Sequence, residues 1–445
     1  MEEGYTAKAE KETGKASGMA IKGLLEYIKK GVSPYHTVQT AKEELEAAGC
    51  EELELSEPWK LQRGQGYFVR AHGSTLFAFR VNPGFVPADG FRIAAAHTDW
   101  PCMRIKTAPE MQSGRYRKLN VETYGGPILS TWMDRPLSAA GRAALRGSDP
   151  FHPELCLVDL GRPVFTIPNL AIHMNRDVNK GVELNRQTDM LPLAGEMEKA
   201  LEKDGGFMEA LGQCLGRRPE DILFFELSVY NCDPADIIGI NGEFLSAPRL
   251  DNLTSVKACM DGFLAGGGRE RGADLAVFFD HEEIGSRTKQ GAGSLLLDLV
   301  MEKICAALGY GREEYVDCLL SSFFLSVDVA HAAHPNRPEK SDPTNPVYLN
   351  GGVVLKTECN QRYATDAQAV GILRALCGEN GIPCQFFANR SDMGGGSTLG
   401  SIASSFTVMN TADIGLPLLA MHSARETMGV RDMEALTALL ACYWK

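Results

Sequence analysis

The 445-residue chain has no basic surplus. Its 45 Lys and Arg face 57 Asp and Glu, a net charge of −12, which excludes a surface built to displace phosphate counterions and so predicts no nucleic-acid partner. No stretch approaches the ~18 consecutive apolar residues that a membrane crossing needs; the longest apolar helix candidate, 295–308, is broken by Asp298, Glu302 and Lys303, so no membrane partner is expected. The first fifteen residues are charged and contain no apolar core, which predicts no secretory leader. Twelve cysteines are present without one C-x-x-C pair. Ribbon-type cysteine metal sites are thereby excluded, and a reduced, cytoplasmic protein that builds its core without disulfides is expected. No Gly-Lys-Ser/Thr phosphate loop occurs and no G-x-G-x-x-G opens a helix after the first strand, so Gly394-Gly395-Gly396-Ser397-Thr398 reads as a tight turn. There is no internal repeat and no low-complexity tract.

What is present suits a globular protein: 44 % hydrophobic and 23 % charged residues. The length exceeds the roughly 250–300 residues at which one core stops growing, so two domains, or one domain with a large insertion, are expected. Apolar periodicity predicts helices over 18–30 (Met19, Ile21, Leu24, Leu25 and Ile28 on one face) and 37–48, then strands over 66–70, 75–81 and 91–96. From 106 to 246 short β-like pieces alternate with Gly, Pro and Asn, with one helical interruption at 192–215. Beyond 250, helices at 251–265, 293–308, 363–379 and 431–442 alternate with strands at 273–280, 322–328, 351–356, 384–389 and 405–409. Such alternation predicts an α/β fold, a mostly parallel sheet sandwiched by helices. Residues 1–105 and 247–445 would form that domain, with a β-rich module inserted at 106–246.

The ionisable residues cluster where predicted strands end. His97 and Asp99 follow the apolar run 91–96. Asp251 precedes an apolar-periodic helix. Asp280-His281-Glu282-Glu283 follows Val277-Phe278-Phe279; Asp328 closes the run 323–327; His422 closes 418–421. Taken singly, Asp251 reads equally as a helix cap and His97-Thr98-Asp99 as an ordinary turn. Two adjacent glutamates at the mouth of a sheet, however, repel unless a cation or a shared proton intervenes. Open sheets place their ligand crevice at the carboxyl ends of strands. Two histidines with several carboxylates there match a dinuclear zinc site, which keeps a position for water and needs a further carboxylate as base. His281 reads as a positioning residue, His331 and His334 as contacts near the site, and the cysteines as core.

Seven stretches, AHTDWP (96–101), IPNLAIHMNR (167–176), SAPRLDN (246–252), FDHEEIGS (279–286), SVDVAHAAHPN (326–336), NQRYATD (360–366) and LAMHSARE (419–426), resemble in content and order the aspartyl aminopeptidase family of dinuclear zinc aminopeptidases. The resemblance implies two zinc ions, with cobalt or manganese as substitutes. Asp251 would bridge them, His97 and Asp328 would complete one site, and Glu283 and His422 the other. It implies Glu282 as general base toward a metal-bridging water, Asp99 as the residue orienting His97, and His173 as a substrate contact in a neighbouring subunit. Lys356 matches a position associated with acidic substrates, where an ammonium would pair with an Asp or Glu side chain; read alone it is equally a solvent-exposed strand-end lysine. The implied assembly is a homo-oligomer of dimers, a tetrahedral dodecamer, with the inserted module in the dimer contact. The expected activity is removal of the N-terminal residue from peptides, with acidic residues preferred. The alternatives are a deacylase of N-acyl amino acids and a non-catalytic scaffold, and an intact Glu282 speaks against the scaffold.

Overall fold

The strand Phe91–His97 organises the larger part of the molecule, because its residues are buried on both faces and it accepts partners on both edges. In the computed structural model, which describes residues 18–197 and 206–445, Ala273–Phe279 runs parallel to it on one side, pairing Phe279 with His97. Phe323–His331 runs parallel on the other side, and Asn410–Leu419 is parallel beyond that. Strands buried on both faces read as near-continuous apolar runs, and these do. The sheet turns antiparallel toward its flanks, through Thr75–Val81 and Gly66–Ala71 at one end and Glu426–Gly429, Phe244–Ala247 and Asp236–Ile238 at the other. Val353–Lys356 branches off antiparallel to Asn410–Leu419 and carries Cys384–Phe387 parallel to itself. The fold is therefore mixed α/β with a parallel centre, in a sheet of twelve strands.

On one face Ile93, Leu275, Val277 and Phe279 pack with Leu297, Val300 and Ile304 of the helix Leu296–Ala307 and with Tyr315 and Cys318 of Arg312–Leu320. The helix Leu250–Ala265 packs on Phe91–His97 and against Val430–Tyr443. The fully buried Ala94 and Ala96 offer little bulk to hold a neighbouring element away. These elements belong to one compact unit: the residues up to Asp99, Ala235–Met421 and Glu426–Lys445. The second unit, Trp100–Pro234 with His422–Arg425, is a six-stranded sheet, all antiparallel, in the order His152–Asp159, Leu137–Asp149, Ile222–Asn231, Cys102–Ser113, Tyr116–Tyr124, Leu193–Glu196. Phe207 of its helix Phe207–Leu215 packs between Phe165, at a tilt, and Phe225, edge-on. Among the described residues no helix is long and apolar enough to cross a membrane.

Several element expectations need correction. Residues 405–409 are not a strand. Leu399–Thr407 is a helix whose buried face is Leu399, Ala403 and Thr407, and the strand starts at Asn410. The β-type residues Phe406 and Val408 that suggested a strand are exposed instead. Within 192–215, the start is a strand, Leu193–Glu196, and the helix begins only at Phe207; 198–205 lies outside the described residues. Met19 points outward from the first helix, 74 % exposed, while Tyr27 takes a place in its buried face. The helix Arg312–Leu320 was not anticipated, because Arg-Glu-Glu-Tyr-Val-Asp hides the i, i+3, i+4 set Tyr315, Cys318 and Leu319 that it buries.

Candidate metal centre

The central parallel strands carry polar residues in, or just beyond, their carboxyl-terminal halves. His97 terminates Phe91–His97 and is 1 % exposed. Asp328 lies in Phe323–His331, where its neighbour across the ladder is Gly415. After Phe279 the chain turns through His281, in the left-handed region at φ 63°, into a short 3-10 turn at Glu282–Ile284. Asp251 sits at the start of Leu250–Ala265, where Asp251 and Asn252 are not yet helical. It is therefore held by other elements and not by the helix. Its N–H donates to Glu426 Oε2 at 3.0 Å, and Asn252 Nδ2 donates to the Val327 carbonyl at 3.1 Å.

These residues converge. His97 Nε2 lies 3.4 Å from Asp251 Oδ1 and 3.5 Å from Asp328 Oδ1. His97, Asp251 and Glu283 each offer a ligand atom, all within 4.8 Å of one another. On the far side of the imidazole, Nδ1 is 3.0 Å from the Asp99 carbonyl and 3.3 Å from Asp99 Oδ1. The Asp99 carboxylate also accepts the backbone N–H of Glu282 on Oδ1 at 3.1 Å and that of Glu283 on Oδ2 at 3.2 Å. One buried carboxylate thus orients the imidazole and anchors the glutamate turn together.

The buried groups shift one another's titration. Burial disfavours the His97 imidazolium, yet its bonds to Asp251, Asp328 and Asp99 outweigh this and hold its pKa well above the ordinary histidine value. Burial, with Asp328, Asp99 and Asp251 adding repulsion and His97 opposing, pushes the Glu282 carboxyl up to about 8. Burial, then Asp251 and Glu282, drive Glu283 well above its usual range. Asp328 moves the other way: burial favours its neutral form, but Lys356 and His97 hold it below the usual carboxylate range. The donor chemistry fits zinc. Tetrahedral bonds of ~2.0–2.2 Å set two ligand atoms about 3.3–3.6 Å apart, which matches the spacings of His97 to Asp251 and Asp328.

Lys356 is not the solvent-exposed lysine that its strand-end place allows. It is 1 % exposed, donates to the Val329 carbonyl at 2.9 Å, and lies 3.6 Å from Asp328 Oδ2 and over the Tyr363 ring. Burial disfavours its charge, but Asp328 foremost keeps its pKa raised. His281 is tied to Thr288 Oγ1 at 2.9 Å and to Asp280 at 3.5 Å. His331 and His334 line a cavity of about 290 Å³ with Asn389, Arg390 and the glycines 394–396. His422 and His173 belong to the second unit. There His422 Nδ1 faces the Gly126 carbonyl at 3.1 Å, and His173 stands exposed on a turn. The Asp251–Glu426 contact had no counterpart in the sequence reading; Glu426 stood in a quoted stretch, but only pairing of the strands Phe244–Ala247 and Glu426–Gly429 brings it near.

Comparison with known proteins agrees with this chemistry. The family model described as aminopeptidase I zinc metalloprotease (M18) matches residues 27–444. The "Probable M18 family aminopeptidase 2" of Clostridium novyi is 45 % identical over 410 residues, covering 92 % of this chain and 94 % of its own. The protein of that name from Stutzerimonas stutzeri is 38 % identical over 426 residues, covering 95 % and 97 %. Among solved structures, the cryo-EM structure of the Ape4 and Nbr1 complex aligns with a TM-score of 0.93 at 32 % identity, over 97 % of this chain and 86 % of that one. The S. cerevisiae mApe1 dodecamer aligns at 0.82 and 24 % identity, over 96 % of each chain, and so speaks for the fold.

Proposed function

The chain belongs to the M18 family of zinc metallopeptidases, and we propose that it is a dinuclear aminopeptidase that removes the N-terminal residue of peptides. The observation that carries the proposal is the convergence of His97, Asp251, Asp328 and Glu283 at metal-ligand spacing. Asp251 is proposed to serve both ions, with Asp328 and His97 on one and Glu283 on the other. His422 is kept as the fifth ligand on the resemblance of its stretch alone. Zinc held there supplies Lewis acidity, polarising a peptide carbonyl and lowering the pKa of a water.

The chain's own residues do the rest. Glu282 takes the proton from the attacking water and delivers it to the departing amine. Asp99 fixes the turn that aims Glu282 and keeps the imidazole of His97 in one tautomer. A preference for acidic N-terminal residues is part of the proposal, with Lys356 as its cation. By the same resemblance the second unit is proposed as an inserted dimerisation module, and His173 as a contact in a neighbouring subunit's site. A dodecamer, the assembly of the yeast mApe1 structure, is the proposed assembly, and light scattering should return a mass near twelve chains.

The test compares an aminoacyl-p-nitroanilide with its N-acetylated form on zinc-loaded protein. Cleavage confined to the free amine is expected; equal cleavage of both defeats the aminopeptidase reading in favour of a deacylase. A panel of N-terminal residues decides the finer point: faster turnover of Asp and Glu supports Lys356, whereas a Leu or Met preference removes it from specificity.

A further inference from the structure

Glu426 is a glutamate 2 % exposed, with no part in the chemistry described so far. It opens the strand Glu426–Gly429, opposite Ala247 in the antiparallel pair with Phe244–Ala247. Four residues after Ala247 the chain reaches Asp251, and Glu426 Oε2 accepts the Asp251 N–H at 3.0 Å. Burying a carboxylate is costly unless it is well bonded. A buried acceptor at this place calls for a reason.

The local backbone supplies it. A helix start leaves its first N–H groups without helical acceptors, and here Asp251 (φ −78°, ψ 104°) and Asn252 (φ −125°, ψ 27°) depart from helical geometry. The helix therefore does not define where the Asp251 side chain goes. Two hydrogen bonds between residues distant in sequence hold the backbone here: Glu426 accepts the Asp251 N–H from the strand at 426–429, and Asn252 Nδ2 ties the next residue to Val327, directly before Asp328. Of the two, the bond from Glu426 acts on the Asp251 backbone itself. Asp251 is the residue proposed to serve both ions, so a small displacement of its backbone disturbs both at once.

We propose that Glu426 is a positioning residue for the metal centre, its carboxylate fixing the Asp251 backbone so that the Asp251 side chain meets His97. This rests on reading Asp251 as a metal ligand. Removing a group that orients a metal ligand characteristically costs ~10–100-fold in metal affinity.

The experiment measures the zinc dissociation constant of the full chain by competition with a chromogenic chelator, alongside melting temperatures with and without zinc. Glu426→Ala is expected to bind zinc at least tenfold more weakly than the parent. Glu426→Gln, whose amide oxygen can still accept the Asp251 N–H, should stay within about threefold. Should Glu426→Ala not fold, Glu426→Met, which fills the space without an acceptor, takes its place. An unchanged dissociation constant in the acceptor-free variant overturns the proposal, as does a Gln variant as weak as the Ala variant. A lowered melting temperature, equal in zinc-free and zinc-loaded protein, with affinity intact would make Glu426 a packing residue only and overturns it too. Failure of the parent chain to bind zinc is a different result: it removes the metallopeptidase reading on which the proposal stands.

Discussion

At the scale of single residues, the division of labour between Glu282 and Glu283 is set by the turn they share. Both N–H groups are gripped by Asp99, one on each carboxylate oxygen, so the two side chains leave the backbone from fixed points. Glu283 joins His97 and Asp251 in the group of candidate ligands, and Glu282 is the proposed base. Glu282→Gln preserves size and removes the ability to take a proton. It should keep the zinc content of the parent, measured by elemental mass spectrometry, while kcat falls by roughly 10²–10⁴-fold. Full activity in that variant would reject the base assignment. The carboxylates were legible together and not one by one: Asp99, Glu282, Glu283 and Asp328 follow apolar runs, whereas Asp251 alone reads as a helix cap. Glu426 was not legible: its importance depends on which backbone amide it reaches, and strand pairing alone decides that. Lys356 was half legible, since its strand-end place was evident and its ion pair with Asp328 was not.

At the scale of elements, the parallel centre explains how distant residues meet. The strands that carry His97 and Asp328 and the strand that leads to Glu283 lie side by side and point the same way, so their carboxyl ends share one edge. This much was readable from strand-and-helix alternation. The misread segment at 405–409 shows the limit: Ser405-Phe406-Thr407-Val408 has β-type composition, but the helical spacing of Leu399, Ala403 and Thr407 decides the packing. Close strand approach adds a constraint at Gly415. A Cβ there would lie 1.5 Å from the Asp328 carbonyl oxygen. Gly415→Ala should therefore destabilise the protein by about 3 kcal/mol or more through overpacking, visible as a lowered urea midpoint, and should weaken zinc binding because the strand that must yield carries Asp328.

At the scale of the whole molecule, the crowded centre ties stability to pH and to metal. Burial and neighbouring carboxylates raise Glu282, to about 8, and Glu283; bonds to Asp251, Asp328 and Asp99 raise His97 against the effect of burial. Groups whose pKa is raised by folding contribute stability that is complete below their unfolded values and is lost as pH rises through their folded ones. Asp328 has the opposite sign, holding its contribution above the usual carboxylate range and losing it in acid. Zinc-free protein should accordingly melt at falling temperature as pH climbs from about 5 to 8. Zinc competes with the protons held there, so the rise in melting temperature on adding zinc should widen over the same interval. A zinc increment that is flat or shrinking across that interval would contradict this account of the centre.

The order in which the sheet borrows its strands has one more effect. Phe91–His97 is made early, but its neighbours come from 273–279 and 323–331, so a chain still on the ribosome holds His97 with Asp99 but without Asp251 and Asp328. On the proposed reading the centre cannot assemble before Asp328 and the later residues His422 and Glu426 have emerged, so synthesis itself would act as the safety catch.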